Sequence, residues 1–147
     1  VSDINELGLC AEFLFEQLTG HGPLVALVGD RVYRDLAPPG AVLPYVVFSF
    51  VAGVDRNAVG SRSIMFTRPI WDIKAIVQGT DGAAADAIAD AVHGAVNGKQ
   101  RLDVADGELV VLGVRRESLL EFPELRDDVQ YLHRGGTYRV FCHILRA

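Results

Sequence analysis

Ile4, Leu7, Ala11, Leu14, Phe15 and Leu18 recur at helical spacing, with Glu6, Glu12, Glu16 and Gln17 between them. This period predicts an amphipathic helix that Ser2 or Asp3 can cap and that stops at Gly20-His21-Gly22. Pro23 suits the first position of a short second helical turn through Leu24, Leu27 and Val28, closed by Gly29. Arg31 to Tyr33 reads as a brief strand leading into the Pro38-Pro39-Gly40 loop, and Leu43 to Val51 as a longer one, rich in β-branched and aromatic residues. Gly53 to Ser63 is polar and small, too long for an ordinary hairpin tip, and is expected to project. Phe66 to Gln78 resumes as strand, with Trp71, Ile73, Ala75 and Val77 on a buried face and a mostly wet face opposite. Thr80 or Asp81 caps a helix whose stripe is Ala84, Ala87, Ile88, Ala91, Val92 and Ala95, ended by Gly98. Glu108 to Arg116 and Tyr138 to Leu145 are the last strands, separated by a polar stretch of mixed charge.

These elements predict one α+β domain over residues 1–147: a single, mostly antiparallel β-sheet with two main helices packed on one face and a long projecting hairpin loop. At 147 residues the chain can bury roughly 70% of its unfolded surface, enough for its own core. The formal net charge of -5, without a Lys/Arg stripe, argues against a protein that wraps nucleic acid, because phosphates need clustered cations. Val1 to Glu6 lacks the basic and apolar start of a signal peptide, and no apolar run approaches the ~18 residues of a membrane span. Cys10 and Cys142 stand at opposite ends of the chain; the sequence leaves a disulfide open and favours two buried thiols. A protein made and used in a cytoplasm is expected.

The residues that most enzymes need do not cluster. His21, His93, His133 and His143 show no zinc spacing, and His93 is expected on the surface of its helix or half-buried rather than as a ligand. Ser61 and Ser63 lack a nucleophile elbow. Arg134-Gly135-Gly136-Thr137 enters a strand, not a helix, and reads as a turn before the last strand more readily than as an anion cradle. Glu121, Glu124, Asp127 and Asp128 lack the order of a calcium loop and read as a solvated loop. Neither a cofactor nor a metal is expected. Most of the aromatic residues, Trp71 among them, fall at core positions.

The order of segments carries a resemblance. Leu27-Val28-Gly29-Asp30-Arg31-Val32-Tyr33, a proline-rich loop, Leu43-Pro44-Tyr45-Val46-Val47-Phe48, Trp71-Asp72-Ile73, the helix Ala84 to Val92 and the closing Tyr138-Arg139-Val140 follow one another as in the tail-terminator (tail-completion) proteins of long-tailed bacteriophages. The chain resembles that family from about Leu24 to Phe141. The resemblance implies a virion protein without catalytic activity, assembled in the host cytoplasm. Its copies would form a homo-hexameric ring on the head-proximal end of the tail tube. The implied partners are the tail tube protein and the head–tail connector, with DNA passing the lumen unbound and no membrane involved.

The chain departs from the family in two places, a polar insert from Ser118 to Gly136 and a charged tip from Gly53 to Ser63. Folding alone does not explain either. Asp55, Arg56, Asn57 and Arg62 in the tip, with Glu121, Glu124, Arg126, Asp127, Asp128 and Arg134 in the insert, are the candidate interface residues. The rival readings are another neck or connector subunit and a small-molecule-binding α+β domain with a pocket between sheet and helices.

Overall fold

The computed structural model describes residues 6–53, 55–57, 64–79, 81–104 and 107–145. Helix α1 spans Glu6–Thr19 and α2 Gly22–Val28, with Pro23 in its first turn and Gly29 closing it at φ 61°. The expected cap of α1 and Ile4 lie outside the described residues. Helix α3 spans Gly82–Val96; the Asp81 carboxylate accepts the Ala84 N–H at 3.1 Å, and Gly98 follows at φ 74°. Gly29 and Gly98 thus mark the ends of α2 and α3 with a positive φ that glycine adopts without strain.

Among the described residues eight strands form the sheet: β1 (Val32–Arg34), β2 (Tyr45–Ala52), β3 (Asp55–Asn57), β4 (Ile64–Thr67), β5 (Ile70–Gln78), β6 (Arg101–Val104), β7 (Leu109–Arg126) and β8 (Val129–Leu145). Six run in the order β1-β2-β5-β8-β4-β3, and β7, carrying β6, lies on the other side of β8. The pair β1–β2 is parallel and the remaining described pairs are antiparallel. Strand β8 is the spine. Along one side it pairs first with β5, from Gln78↔Tyr131 to Ile70↔Arg139, and then with β4, from Thr67↔Cys142 to Ile64↔Leu145.

The main core lies between one sheet face and the three helices. Trp71, Ile73, Ala75 and Val77 of β5 meet Val46 and Phe48 of β2 and Tyr138 and Val140 of β8 under Phe13, Leu14, Leu18, Leu24, Ile88 and Val92. The buried stripe of α3 is Ala85, Ile88, Val92, Ala95 and Val96, so the helix is rotated from the expected phase and Ala87 is exposed. In α1 the buried aromatic is Phe13, whereas Phe15 is 44% exposed. The opposite sheet face is not simply wet. Tyr45, Val47 and Ile76 form a second small cluster there, covered by Ala37, Ala41 and Leu43 of the proline-rich loop.

Two expected boundaries change. The strand expected from Phe66 to Gln78 is broken at Arg68-Pro69 into β4 and β5, which pair with successive parts of β8. The long tip does not project freely at its two bases: Asp55↔Thr67 to Asn57↔Met65 pair as strands, and β4 is tied to β8. Residues 58–63 lie outside the described residues.

Candidate assembly surface

The stretch from Ser118 to Gly136, expected as a polar insert between strands, is itself strand. Strands β7 and β8 form one continuous hairpin, paired from Leu109↔Ile144 to Arg126↔Val129. Its turn is Asp127-Asp128, both left-handed at φ 52° and 63°. Two successive positive-φ residues define the two-residue turn whose twist matches a right-twisted hairpin, and Asp tolerates that backbone better than most side chains. Arg134-Gly135-Gly136-Thr137, expected as a turn, lies inside β8 with β5 on one side and β7 on the other. Glycine is needed there because the neighbours come very close. A Cβ on Gly135 would stand 2.0 Å from the Ile73 carbonyl oxygen, and one on Gly136 2.8 Å from that of Ser118. The latter faces a bulge of β7 between Arg116 and Ser118.

The candidate residues fall into two groups, not one patch. Asp55, Arg56 and Asn57 sit on β3, their side chains outside description, and Arg62 lies outside the described residues. Strand β3 reaches the sheet through β4, at the Cys142–Leu145 end of β8, while Asp127 and Asp128 turn the chain before Val129 at the other end. From Val129 to Cys142 is thirteen residue steps along β8, a path of roughly 40 Å at about 3.3 Å per residue.

Within the hairpin, most of the charged candidates are used internally. Arg134 ties the arm to α3, bonding Asp86, the Gly82 carbonyl at 2.9 Å and the Glu121 carboxylate at 2.6 Å. These partners hold the Arg134 guanidinium more firmly protonated than usual, the Glu121 hydrogen bond first among them. On the other sheet face Glu124 accepts from His133 at 3.0 Å, and Arg126 lies over the Tyr131 ring at 4.9 Å. Lys74 sits over Phe122, which stacks on His133 with ring centres 4.3 Å apart. Glu121 and Glu124 are therefore drawn to separate partners while Asp127 and Asp128 make the turn, and among the described residues no three metal-ligating side chains gather.

His133 is buried at 6% exposure, and its Nδ1 has no partner among the described residues. Nε2 can donate to the Glu124 carboxylate, and in the neutral ring that leaves Nδ1 without a proton. Burial holds its pKa below the ordinary 6.5, against the pull of Glu124, and that same hydrogen bond lowers the Glu124 pKa. His93, 3.2 Å from the Tyr138 hydroxyl, is also lowered, first by burial and then by Arg116. Depressed folded values mean that the unfolded chain takes up protons first, so stability present above the unfolded pKa is lost as pH falls through the folded one. Asp72, whose carboxyl burial pushes up, acts in the opposite sense in the carboxylate range. The melting temperature should therefore drop between about pH 7 and 5, and His133→Gln, which keeps a donor toward Glu124, should flatten the drop. An unchanged pH slope in that variant would remove His133 from the account.

Sequence reasoning missed the residues that the arm leaves outside. Leu119 is 76% exposed and Leu125 69%. They lie eight and two places before Asp127, on the same face of β7 as Glu121 and Pro123. Beyond Arg116, β7 has no partner on its outer side among the described residues, since β6 reaches only Leu109 and Val111. Pro123 fits such an edge. Arg126 and Val129 flank a two-residue turn and so form the hydrogen-bonded kind of pair; counting back in twos puts Pro123↔Leu132 among the other kind, with the proline nitrogen pointing away from β8. The one signal in the sequence is that leucines keep appearing in a stretch otherwise polar.

Residues 12–144 match the family described as Tail completion protein gp17. Among solved structures, a chain from the virion of a native gene transfer agent particle has a TM-score of 0.68 and 24% identity, over 95% of this chain and 99% of that one. A second solved chain, 15% identical, has a TM-score of 0.53 over 93% and 96% of the two chains. These two likenesses establish the fold. No curated protein matches the sequence. The family match runs from the first helix into the last strand and takes in the whole hairpin, and the chain belongs to the tail completion protein gp17 family, structural proteins of the phage virion.

Proposed function

We propose that the chain is a tail-terminating subunit whose copies close into a homo-hexameric ring on the head-proximal end of the tail tube. The ring stops tube polymerisation and presents a surface to the head connector. Its role is structural, with no reaction to catalyse, and DNA passes the lumen without being gripped, in keeping with the net charge of -5. The observation that carries this reading is the family match over residues 12–144. The open edge of β7 supports a lateral contact, because a ring needs two different lateral surfaces on each subunit, each complementary to the other on its neighbour. An unpaired edge bearing exposed leucines is costly to leave bare in solution. The β3 strand, with Asp55, Arg56 and Asn57, is proposed for an axial contact with tube or connector, as is Arg62, which lies outside the described residues.

Electron microscopy of the protein mixed with assembling tail tubes tests this. Tubes of fixed length with a cap at one end are expected. The double variant Leu119→Asp, Leu125→Asp should lose rings and caps while monomer stability changes by less than about 1 kcal/mol, since both side chains already face solvent. Capping by that variant would rule out the β7 edge as the lateral contact. Tubes that grow uncapped while the protein binds the connector would favour a different neck subunit.

A further inference from the structure

The thiols of Cys10 and Cys142 point at each other across the core, sulfur to sulfur 3.1 Å apart, with the two residues 0% and 1% exposed. They are 132 positions apart in sequence, Cys10 on α1 and Cys142 on β8, where it pairs with Val111 and Thr67. No bond joins them in this structure. We propose that this pair is an oxidation site: outside a reducing cytoplasm it closes to a Cys10–Cys142 disulfide that staples the first helix to the last strand.

The chemistry balances with a small-molecule disulfide of the glutathione class as oxidant. One protein thiolate attacks it, forming a mixed disulfide and expelling a thiolate that takes up a proton. The second protein thiolate then attacks the protein sulfur of the mixed disulfide, forming the Sγ–Sγ bond and expelling the second small thiol. The cysteine pair loses two electrons and two protons, and the small disulfide is reduced to two thiols. Because both sulfurs are sealed in the core, the first step needs α1 lifted from the sheet. A bulky mixed disulfide does not fit beneath the seated helix, so reseating α1 brings the second sulfur to the first and expels the adduct. Once closed, the bond prevents α1 from lifting again.

The alternative is that two small apolar side chains merely pack together, as buried cysteines often do. Refolding the full chain from denaturant in oxidised glutathione distinguishes the two. The expected product is a monomer lighter by two hydrogens, with no thiol titratable after denaturation. Its melting temperature should exceed that of the reduced protein by roughly 5–15 °C, because the bond closes almost the whole chain into a loop. Cys10→Ala and Cys142→Ala, each refolded the same way, should show no such rise. Recovery of both thiols, glutathione adducts without the internal bond, intermolecular dimers only, or a bonded monomer that melts no higher than the reduced one would each overturn the proposal.

Discussion

Gly135→Ala should prevent folding, or lower stability by more than about 4 kcal/mol, beyond what ordinary overpacking costs. The added methyl group would stand 2.0 Å from the Ile73 carbonyl oxygen and 2.6 Å from the Lys74 Cα. Both atoms are backbone in β5, held in register with β8 from Gln78↔Tyr131 to Ile70↔Arg139, so neither can turn away as a side chain would. Relief would require separating β5 from β8 at the centre of the sheet, with loss of the ladder on both sides of the glycine. Chemical denaturation of the soluble fraction, if any forms, measures the effect. A midpoint close to that of the unsubstituted protein would mean that β8 passes β5 at a normal distance.

Trp71→Ala is expected to cost about 3–5 kcal/mol, the usual range for deleting a large buried aromatic. The ring is fully buried at the centre of the main core, with Phe48 at 5.9 Å, Phe50 edge-on at 5.7 Å and the Arg34 guanidinium over it at 5.7 Å. Trp71→Phe should cost far less, within about 1.5 kcal/mol, for a specific reason. The indole Nε1 is buried without an acceptor among the described residues, so phenylalanine gives up little more than ring area while removing a buried unpaired donor. Denaturant titrations of the three proteins check the order. A phenylalanine variant as weak as the alanine variant would show that Nε1 makes a bond that matters.

Neither substitution touches the outer edge of β7, which separates folding from assembly. If the double leucine variant assembles poorly while Trp71→Phe assembles normally, the arm contributes contact and not merely stability.

Residues alone determined the parts of this protein whose patterns are local. The first and third helices were legible because one face is apolar, and the second because Pro23 opens it and Gly29 closes it; Gly29 and Gly98 follow their helices with the positive φ that glycine allows. Strand β5 was legible because Trp71, Ile73, Ala75 and Val77 face a core while their neighbours do not. The α+β class and the tail-completion family follow from the order of those segments, and residues 12–144 bear the family out. The tertiary structure decided what has no local period. An edge strand that is wet on both faces, as β7 is from Glu117 to Arg126, has no alternation to read; it is strand because β8 offers it a ladder. Gly135-Gly136 looks like a turn in one dimension and becomes strand centre only when β5 and β7 press on it from both sides. Charge gave the interface candidates, yet Arg134, Glu121 and Glu124 are drawn into partners from α3 and β8, leaving the leucines outside. Which side chains are spent on holding the fold and which remain for a partner depends on contacts between residues far apart in the chain, and those exist only once it has folded.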